Sequence, residues 1–285
     1  MLKNLEPNFD FDLTHLLESI YQKYRYDFRG YSRISIKRQV NQAINKFDCE
    51  NVKDLEKKII HEPNIFGELF QLHTVGLSTM FRDPSYFRAI RTKVIPILKT
   101  FPSIKIWIAG CSTGEEVYSF AIPLKEEGLL KQTIIYATDI NSKSLEKAES
   151  GIFKLEDVQS FTRNYQNSGG KGEFSDHYTA AFDAAIFHKS LVQNVIFADH
   201  CLSTDQVFTE TQLISCRNVF IYFGRKLQDR AIGLFYNSLC DNGVLGLGTN
   251  ETAEFSQHAD AFKQLILSEK IYQKNAKISL QEGKS

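Results

Sequence analysis

The residues best placed to do chemistry lie in KIWIAGCSTGEEVYSFAIPL, residues 105 to 124, where an apolar strand runs into a loop of small residues and then into two carboxylates, Glu115 and Glu116. A loop of this kind before a helix is a common seat for phosphate, because the free N–H groups and the helix dipole favour an anion. Here the loop, Ala109 to Gly114, is not a G-x-G-x-x-G pattern and lacks the lysine of a phosphate-binding P-loop. Two glutamates at the helix N-terminus would repel phosphate and suit a cationic or hydroxyl-bearing group. On this loop alone they also answer to a simpler role, that of complementing the helix dipole.

A further carboxylate extends the pattern. Asp139 ends TIIYATD, about 25 residues past Gly114, and an acidic side chain at that strand end is placed to accept from the two hydroxyls of a ribose. A ribose, a positive charge and no phosphate together describe S-adenosylmethionine, whose sulfonium and ammonium groups suit carboxylates.

Composition narrows the function classes. The 34 basic and 34 acidic residues give zero formal net charge, which removes the global electrostatic case for nucleic acid and leaves any charged partner to a local patch. The five cysteines, at 49, 111, 201, 216 and 240, form no C-x-x-C pair, and the seven histidines form no H-x-x-x-H pair, so no metal is expected. No apolar run is long enough to span a bilayer and no signal peptide is visible. An odd cysteine count without a secretory signal points to reduced thiols in the cytoplasm.

The elements that must carry these residues follow from periodicity. From residue 12 to about 75 apolar positions recur at helical spacing, as in LTHLLESIYQKY and NIFGELFQLHTV, predicting a small helical bundle. Asp48 or Asn51 can cap a helix through VKDLEKKII, and Pro63 fits near the start of the next. After FRDPSYF, strand candidates alternate with amphipathic helices, the mark of a parallel sheet with crossovers. The strands are KIWIAG, TIIYATD, NVIFAD, QLISCRN and GVLGLGT, with EKIYQKN closing after a helix-like segment, and the helices fall at 115 to 127, 142 to 150 and 225 to 239. About forty residues between ESGIF and NVIFAD exceed what a crossover needs. Part of them, 162 to 192, is expected to form an inserted antiparallel hairpin with an exposed turn at Gly169 to Gly172.

The chain resembles the CheR-type chemotaxis methyltransferases over nearly its whole length. The resemblance rests on YDFRGYS, LSTMFRDPSYF, STGEEVYS, YATDI, KAESGIF, FADHCLSTD and ISCRNVFIYF, in this order. It implies an α/β fold: a doubly wound, Rossmann-like class I methyltransferase sheet with an inserted small antiparallel β-subdomain and an N-terminal all-α domain. The expected division is a helical domain at 1–75, a linker at 76–88 that contributes to the cofactor site, and an S-adenosylmethionine-binding domain at 89–285 with the β-subdomain at about 162–192. Carried over by position, the cofactor contacts would be Ser78, Arg82, Glu115, Asp139, Leu202, Arg217 and Asn218. Arg82 suits the methionine carboxylate, since its planar fork binds carboxylates bidentately. The chain departs from the family pattern at Gly76 and Ser78, where Asn and Thr are usual, at Cys201 in His200-Cys201-Leu202, where Asn is usual, and at Val117, where Pro is common.

The implied reaction is methyl transfer to glutamate side chains of chemoreceptors, giving methyl esters and S-adenosylhomocysteine. Arg217 and Tyr222 are the candidates for holding the substrate carboxylate, against the simpler reading of Arg217 as an ion-pair partner and of Tyr222 as packing with Phe220 and Phe223. The acidic signalling helices of a cytoplasmic chemoreceptor region would meet Arg33, Lys37 and Arg38, in a basic stretch that equally fits a solvated helix face. A monomer that binds no nucleic acid and does not insert into a membrane is expected. The alternative is a cofactor-sensing signalling module of the same fold with little or no methyl transfer. A small-molecule or RNA methyltransferase is disfavoured by the zero net charge and by the lack of an Asn/Asp-Pro-Pro-aromatic motif.

Overall fold

The helical spacing from residue 12 to about 75 becomes four helices, α1 (Phe9–Tyr24), α2 (Arg33–Lys46), α3 (Val52–His61) and α4 (Pro63–Thr74), in a computed structural model that describes residues 8–74 and 78–276. Leu13, Leu16, Ile20, Ile36, Val40, Leu55 and Ile59 meet in one apolar cluster. Asn51 caps α3 by accepting the Asp54 N–H at 3.0 Å, so of the two cap candidates it is Asn51 that serves. Gly76, one of the departures from the family pattern, lies outside the described residues.

The second part is a layered α/β structure. Short helices α5 (Pro84–Ala89) and α6 (Ile95–Leu98) lead into β1 (Ile104–Ala109), α7 (Glu115–Glu126), β2 (Thr133–Asp139) and α8 (Ser142–Ser150). There follow β3 (Ile152–Lys154), α9 (Val158–Asn167), β4 (Tyr178–Ala181), β5 (Ala184–Phe187), β6 (Val195–Asp199), β7 (Thr211–Cys216), α10 (Arg225–Ser238), β8 (Leu239–Leu247), β9 (Phe262–Ile266) and β10 (Ile271–Lys274). The main sheet has the order β6-β2-β1-β7-β8-β10-β9. Its first five strands pair in parallel and the last two join antiparallel, which makes β1 the middle of the parallel part. Alternation along β1 serves both faces: Ile104, Ile106 and Ile108 enter one core cluster, while Trp107 and Ala109 enter the other, with α10. None of the described helices is long and apolar enough to cross a membrane.

The inserted region differs in detail from its expected outline. The small sheet, in the order β3-β5-β4, begins at Ile152, ten residues before position 162. Its hairpin turns at Phe182 and Asp183, between β4 and β5, and the glycines at 169 to 172 instead follow the end of α9. Glycine clusters mark helix stops as well as hairpin turns, and the polar texture of NSGGKGEF does not separate the two. The insert is also not a free-standing unit, since Phe161, Tyr165, Phe174 and Phe187 are buried in the main core. In the segment before EKIYQKN, expected to be helix-like, residues 262–266 form strand β9, because β10 offers them an edge.

The helical part is fastened to the sheet by backbone. Ser32 N–H donates to Tyr222 O at 2.8 Å, Gly224 N–H donates to Gly30 O at 2.9 Å, and Tyr31 and Phe223 form a β-bridge. The turn after β7 is therefore gripped from the N-terminal side.

Candidate active site

Parallel strands leave their carboxyl ends free at the point where the chain order reverses, and β1 has β2 on one side and β7 on the other. A cavity of about 510 Å³ opens there. Five segments wall it: the loop after β1, the end of β2, the end of β6, the turn after β7, and residues 78–82; Phe28, Tyr31 and Arg38 close it from the helical part.

The β2 end supplies a buried carboxylate. Asp139 is 8% exposed; its Oδ2 accepts the Ser112 N–H at 2.8 Å and its Oδ1 the Asn141 N–H at 2.9 Å. Burial raises its pKa above the ordinary aspartate value, while the N–H groups of Asn141, Ser112 and Ile140 pull it back. The cap of α8 is Asn141, which accepts from Lys143 N and Ser144 N, so helix capping is not the role of Asp139.

The paired glutamates diverge. Glu116 lines the cavity, and Glu115 does not: its carboxylate accepts from the Thr113 hydroxyl at 2.7 Å and 2.8 Å. Successive helix residues point about 100° apart, so only one of two neighbours can face a given site. The expectation for Glu115 as a cavity contact is thus corrected to Glu116. At the same helix, Ser119 Oγ accepts the Phe81 N–H at 2.7 Å. That bond anchors a segment in which Phe81 (φ +51°) and Asp83 (φ +56°) both take left-handed backbone on either side of Arg82. Such conformations cost about 1–3 kcal/mol each and persist only where the surroundings impose them.

At the β7 end, Arg217 is 5% exposed and bound on two sides, to Asp83 Oδ2 at 2.6 Å and Glu116 Oε2 at 3.5 Å. Its guanidinium lies 4.0 Å from the Tyr86 ring centroid, and its buried Nε has no protein partner. The ion-pair reading of Arg217 therefore describes its two terminal nitrogens, and the guanidinium joins Glu116 to the 78–83 segment. Tyr222 is half-buried on the cavity wall, with its carbonyl held by Ser32. Ser78, Arg82, Leu202 and Asn218 also line the cavity, Leu202 being set by Arg230 of α10, which donates to its carbonyl. Cys201 does not line it; its Sγ contacts Ser203 Oγ at 2.9 Å.

The three basic residues of α2 separate. Arg33 donates to Thr14 Oγ1 at 2.7 Å and Lys37 pairs with Asp10 at 2.7 Å, while Arg38 alone reaches the cavity. Positions 33 and 37 are one turn apart and share the face toward α1, whereas 38 is rotated by a further 100°. Sequence reading also missed Phe28, Tyr31 and Glu116 as wall residues. For Glu116 the signal was present in the doubled glutamate; for the two aromatics only the fold brings them near.

The donor set fits S-adenosylmethionine. Asp139 keeps capacity for hydroxyl donors, the pair of Glu116 and Arg82 matches an amino acid's ammonium and carboxylate, and Leu202 with Phe28 gives apolar wall for a base. Gly110 (φ +78°) lets the β1 loop meet the β7 turn, since a Cβ there would stand 2.5 Å from Val219 Cγ2.

Residues 77–271 match the family described as CheR methyltransferase, SAM binding domain. The chain is 53% identical over 270 residues to a Pseudomonas putida protein provisionally named methyltransferase Cher3, covering 95% of this chain and 99% of that one. It is 25% identical over 250 residues to a chemotaxis protein methyltransferase of Listeria monocytogenes, covering 86% and 91% of the two chains. A chemotaxis protein methyltransferase of Vibrio parahaemolyticus is 26% identical over 227 residues, covering 76% of this chain and 80% of its own.

Proposed function

This chain belongs to the CheR methyltransferase family, with S-adenosylmethionine as its cofactor, and from that premise we propose that it methylates glutamate side chains of chemoreceptors to give methyl esters. The observation that carries the reading is one cavity that joins the buried carboxylate of Asp139 to Glu116, Arg82 and Arg217, with the exposed Arg38 on its wall. Carboxylates suit a cationic nucleoside, and a cation at the surface suits an acidic protein helix.

When bound, the cofactor supplies an electrophilic methyl group on a positively charged sulfur. The acceptor carboxylate is ionised at neutral pH, so no residue of this chain has to move a proton. The work left to the chain is alignment and enclosure. Asp139 would hold the ribose hydroxyls, and Ser78, Arg82 and Glu116 the amino-acid end. Leu202 and Asn218 would bound the nucleoside. Tyr222 is the candidate for orienting the incoming carboxylate. Arg217 would keep local charge balanced between Asp83 and Glu116, so that a third carboxylate can approach. Arg38, with Arg33 and Lys37 on the same helix, would meet the acidic helix. On this reading the chain acts as a monomer in the cytoplasm, and the β-subdomain is available for docking.

Incubation with methyl-labelled cofactor and receptor-containing membranes, followed by alkaline release of volatile methanol, tests it. Base-labile label supports a glutamyl ester. Cofactor binding without label would favour a sensing module instead.

A further inference from the structure

One buried carboxylate has no part in the reading above. Glu251 follows β8, is 4% exposed, and does not line the cavity. Its Oε2 accepts the N–H of Gly248 at 2.6 Å and of Asn218 at 3.0 Å, and its Oε1 accepts the N–H of Ile221 at 3.3 Å. Buried N–H groups without partners are costly. Here the donors of the β7 turn find theirs on a side chain from another strand's exit. Asn218 has φ +61°, and turns containing a left-handed residue can point successive N–H groups at one anion. In this turn the anion is the protein's own. The fit is close: a Cβ on Gly248 would lie 2.7 Å from Glu251 Oε2 and 2.9 Å from Asn218 N.

We propose that Glu251 is a positioning residue for methyl transfer, holding the turn from Arg217 to Tyr222 in the shape that brings Arg217, Asn218 and Tyr222 to the cavity. This rests on the role given to that cavity under Proposed function. A carboxylate is required because donors arrive at both oxygens. Glutamine can accept at one position only and sets its own NH₂ against the donors at the other, so it keeps at most the two bonds of Oε2 or the single bond of Oε1.

The test compares the full chain with Glu251→Gln and Gly248→Ala, the second of which keeps the carboxylate but displaces it. Three quantities are read: amide hydrogen exchange, S-adenosylhomocysteine affinity by calorimetry, and single-turnover methyl transfer per folded molecule. In both variants the amides of Asn218 and Ile221 should lose protection while Ile106 and Ile108 of β1 keep theirs. Affinity should fall roughly tenfold and transfer roughly ten- to hundredfold. A structural role alone would lower protection throughout and leave affinity and transfer per folded molecule at the parent values, which overturns the proposal. Local loss of protection with parent affinity and transfer overturns it equally. Should Glu251→Gln not fold, Gly248→Ala decides. Should the parent bind S-adenosylhomocysteine yet transfer no methyl group to receptors, the functional reading fails, and exchange and affinity still decide the role of Glu251.

Discussion

Asp139 and Glu251 stand at two exits of the same sheet, after β2 and after β8, and both are buried carboxylates that collect backbone N–H groups. Burial raises the pKa of each above its ordinary value, and the N–H groups oppose that rise in each. They differ in what remains to be bonded. Asp139 accepts the Ser112 N–H on one oxygen and the Asn141 N–H on the other, with the Ile140 N–H also turned toward it, and lines the cavity, so a lone pair is left for a ligand's hydroxyls. Glu251 takes two N–H groups on Oε2 and one on Oε1, with the Phe220 N–H also turned toward it, and does not reach the cavity. The same device thus binds a ligand at one exit and shapes a turn at the other, according to how many acceptor sites the fold consumes.

Gly110 lies where the loop after β1 meets the turn that Glu251 holds, and replacing it gives the largest expected effect. In Gly110→Ala a Cβ would stand 2.5 Å from Val219 Cγ2 on backbone at φ +78°. Left-handed strain of about 1–2 kcal/mol and overpacking of about 1–3 kcal/mol predict a loss of about 2–4 kcal/mol in denaturant unfolding. A loss under about 0.5 kcal/mol would show that the β1 loop and the β7 turn are not packed against each other.

Asp139→Ala comes next. It removes an acceptor for two hydroxyls, and a loss of about 1.5–3 kcal/mol corresponds to roughly ten- to two-hundredfold weaker binding of S-adenosylhomocysteine by calorimetry. Unchanged affinity in a variant whose circular dichroism matches the parent would erase the distinction from Glu251.

Acidification should act through the same group, more gently. The folded pKa of Asp139 is raised above its unfolded value, so this group's contribution favours the ligand-free fold at low pH and is lost as pH rises through the folded pKa. The ionised form is the acceptor for ribose, so affinity for S-adenosylhomocysteine should run the opposite way. It should fall with acidification through that pKa, by at most about tenfold per pH unit for one proton. Asp139→Asn should lack this component, and calorimetry across mildly acidic pH would reveal whether it persists.

The smallest effect is expected far from both exits. Phe182, at the tip of the small hairpin, is fully exposed on backbone at φ +54°. Phe182→Gly removes no buried contact and relieves that backbone, so stability should stay level or rise by up to about 1 kcal/mol. Affinity for S-adenosylhomocysteine should not change; a fall in calorimetry would tie the insert to the cavity.

Much of the fold was legible because local pattern and tertiary role agree. The strands around TIIYATD and KIWIAG and the helix starting at Ser142 lie where periodicity puts them. Strand β9 was not legible. Phe262, Leu265 and Ile266 have helical spacing, and pairing with β10 overrides it. In the site, Asp139 could be read because a strand end is a position defined along the chain. Glu251 could not: within GTNET it is one polar residue of an exposed-looking loop, and the partners it holds in the β7 turn lie 33 and 30 residues away.

What the sequence determined by itself is the alternation of strands and helices, the carboxylate at the end of the second strand, and the family pattern that implies the cofactor. Tertiary structure alone decided which of Glu115 and Glu116 faces the cavity, that Arg217 is shared between Asp83 and Glu116, and that Arg38 separates from Arg33 and Lys37. Periodicity and propensity are properties of neighbours along the chain, and a short window holds them. The direction of a side chain and the partner it meets depend on how distant segments pack, and no short window holds that information.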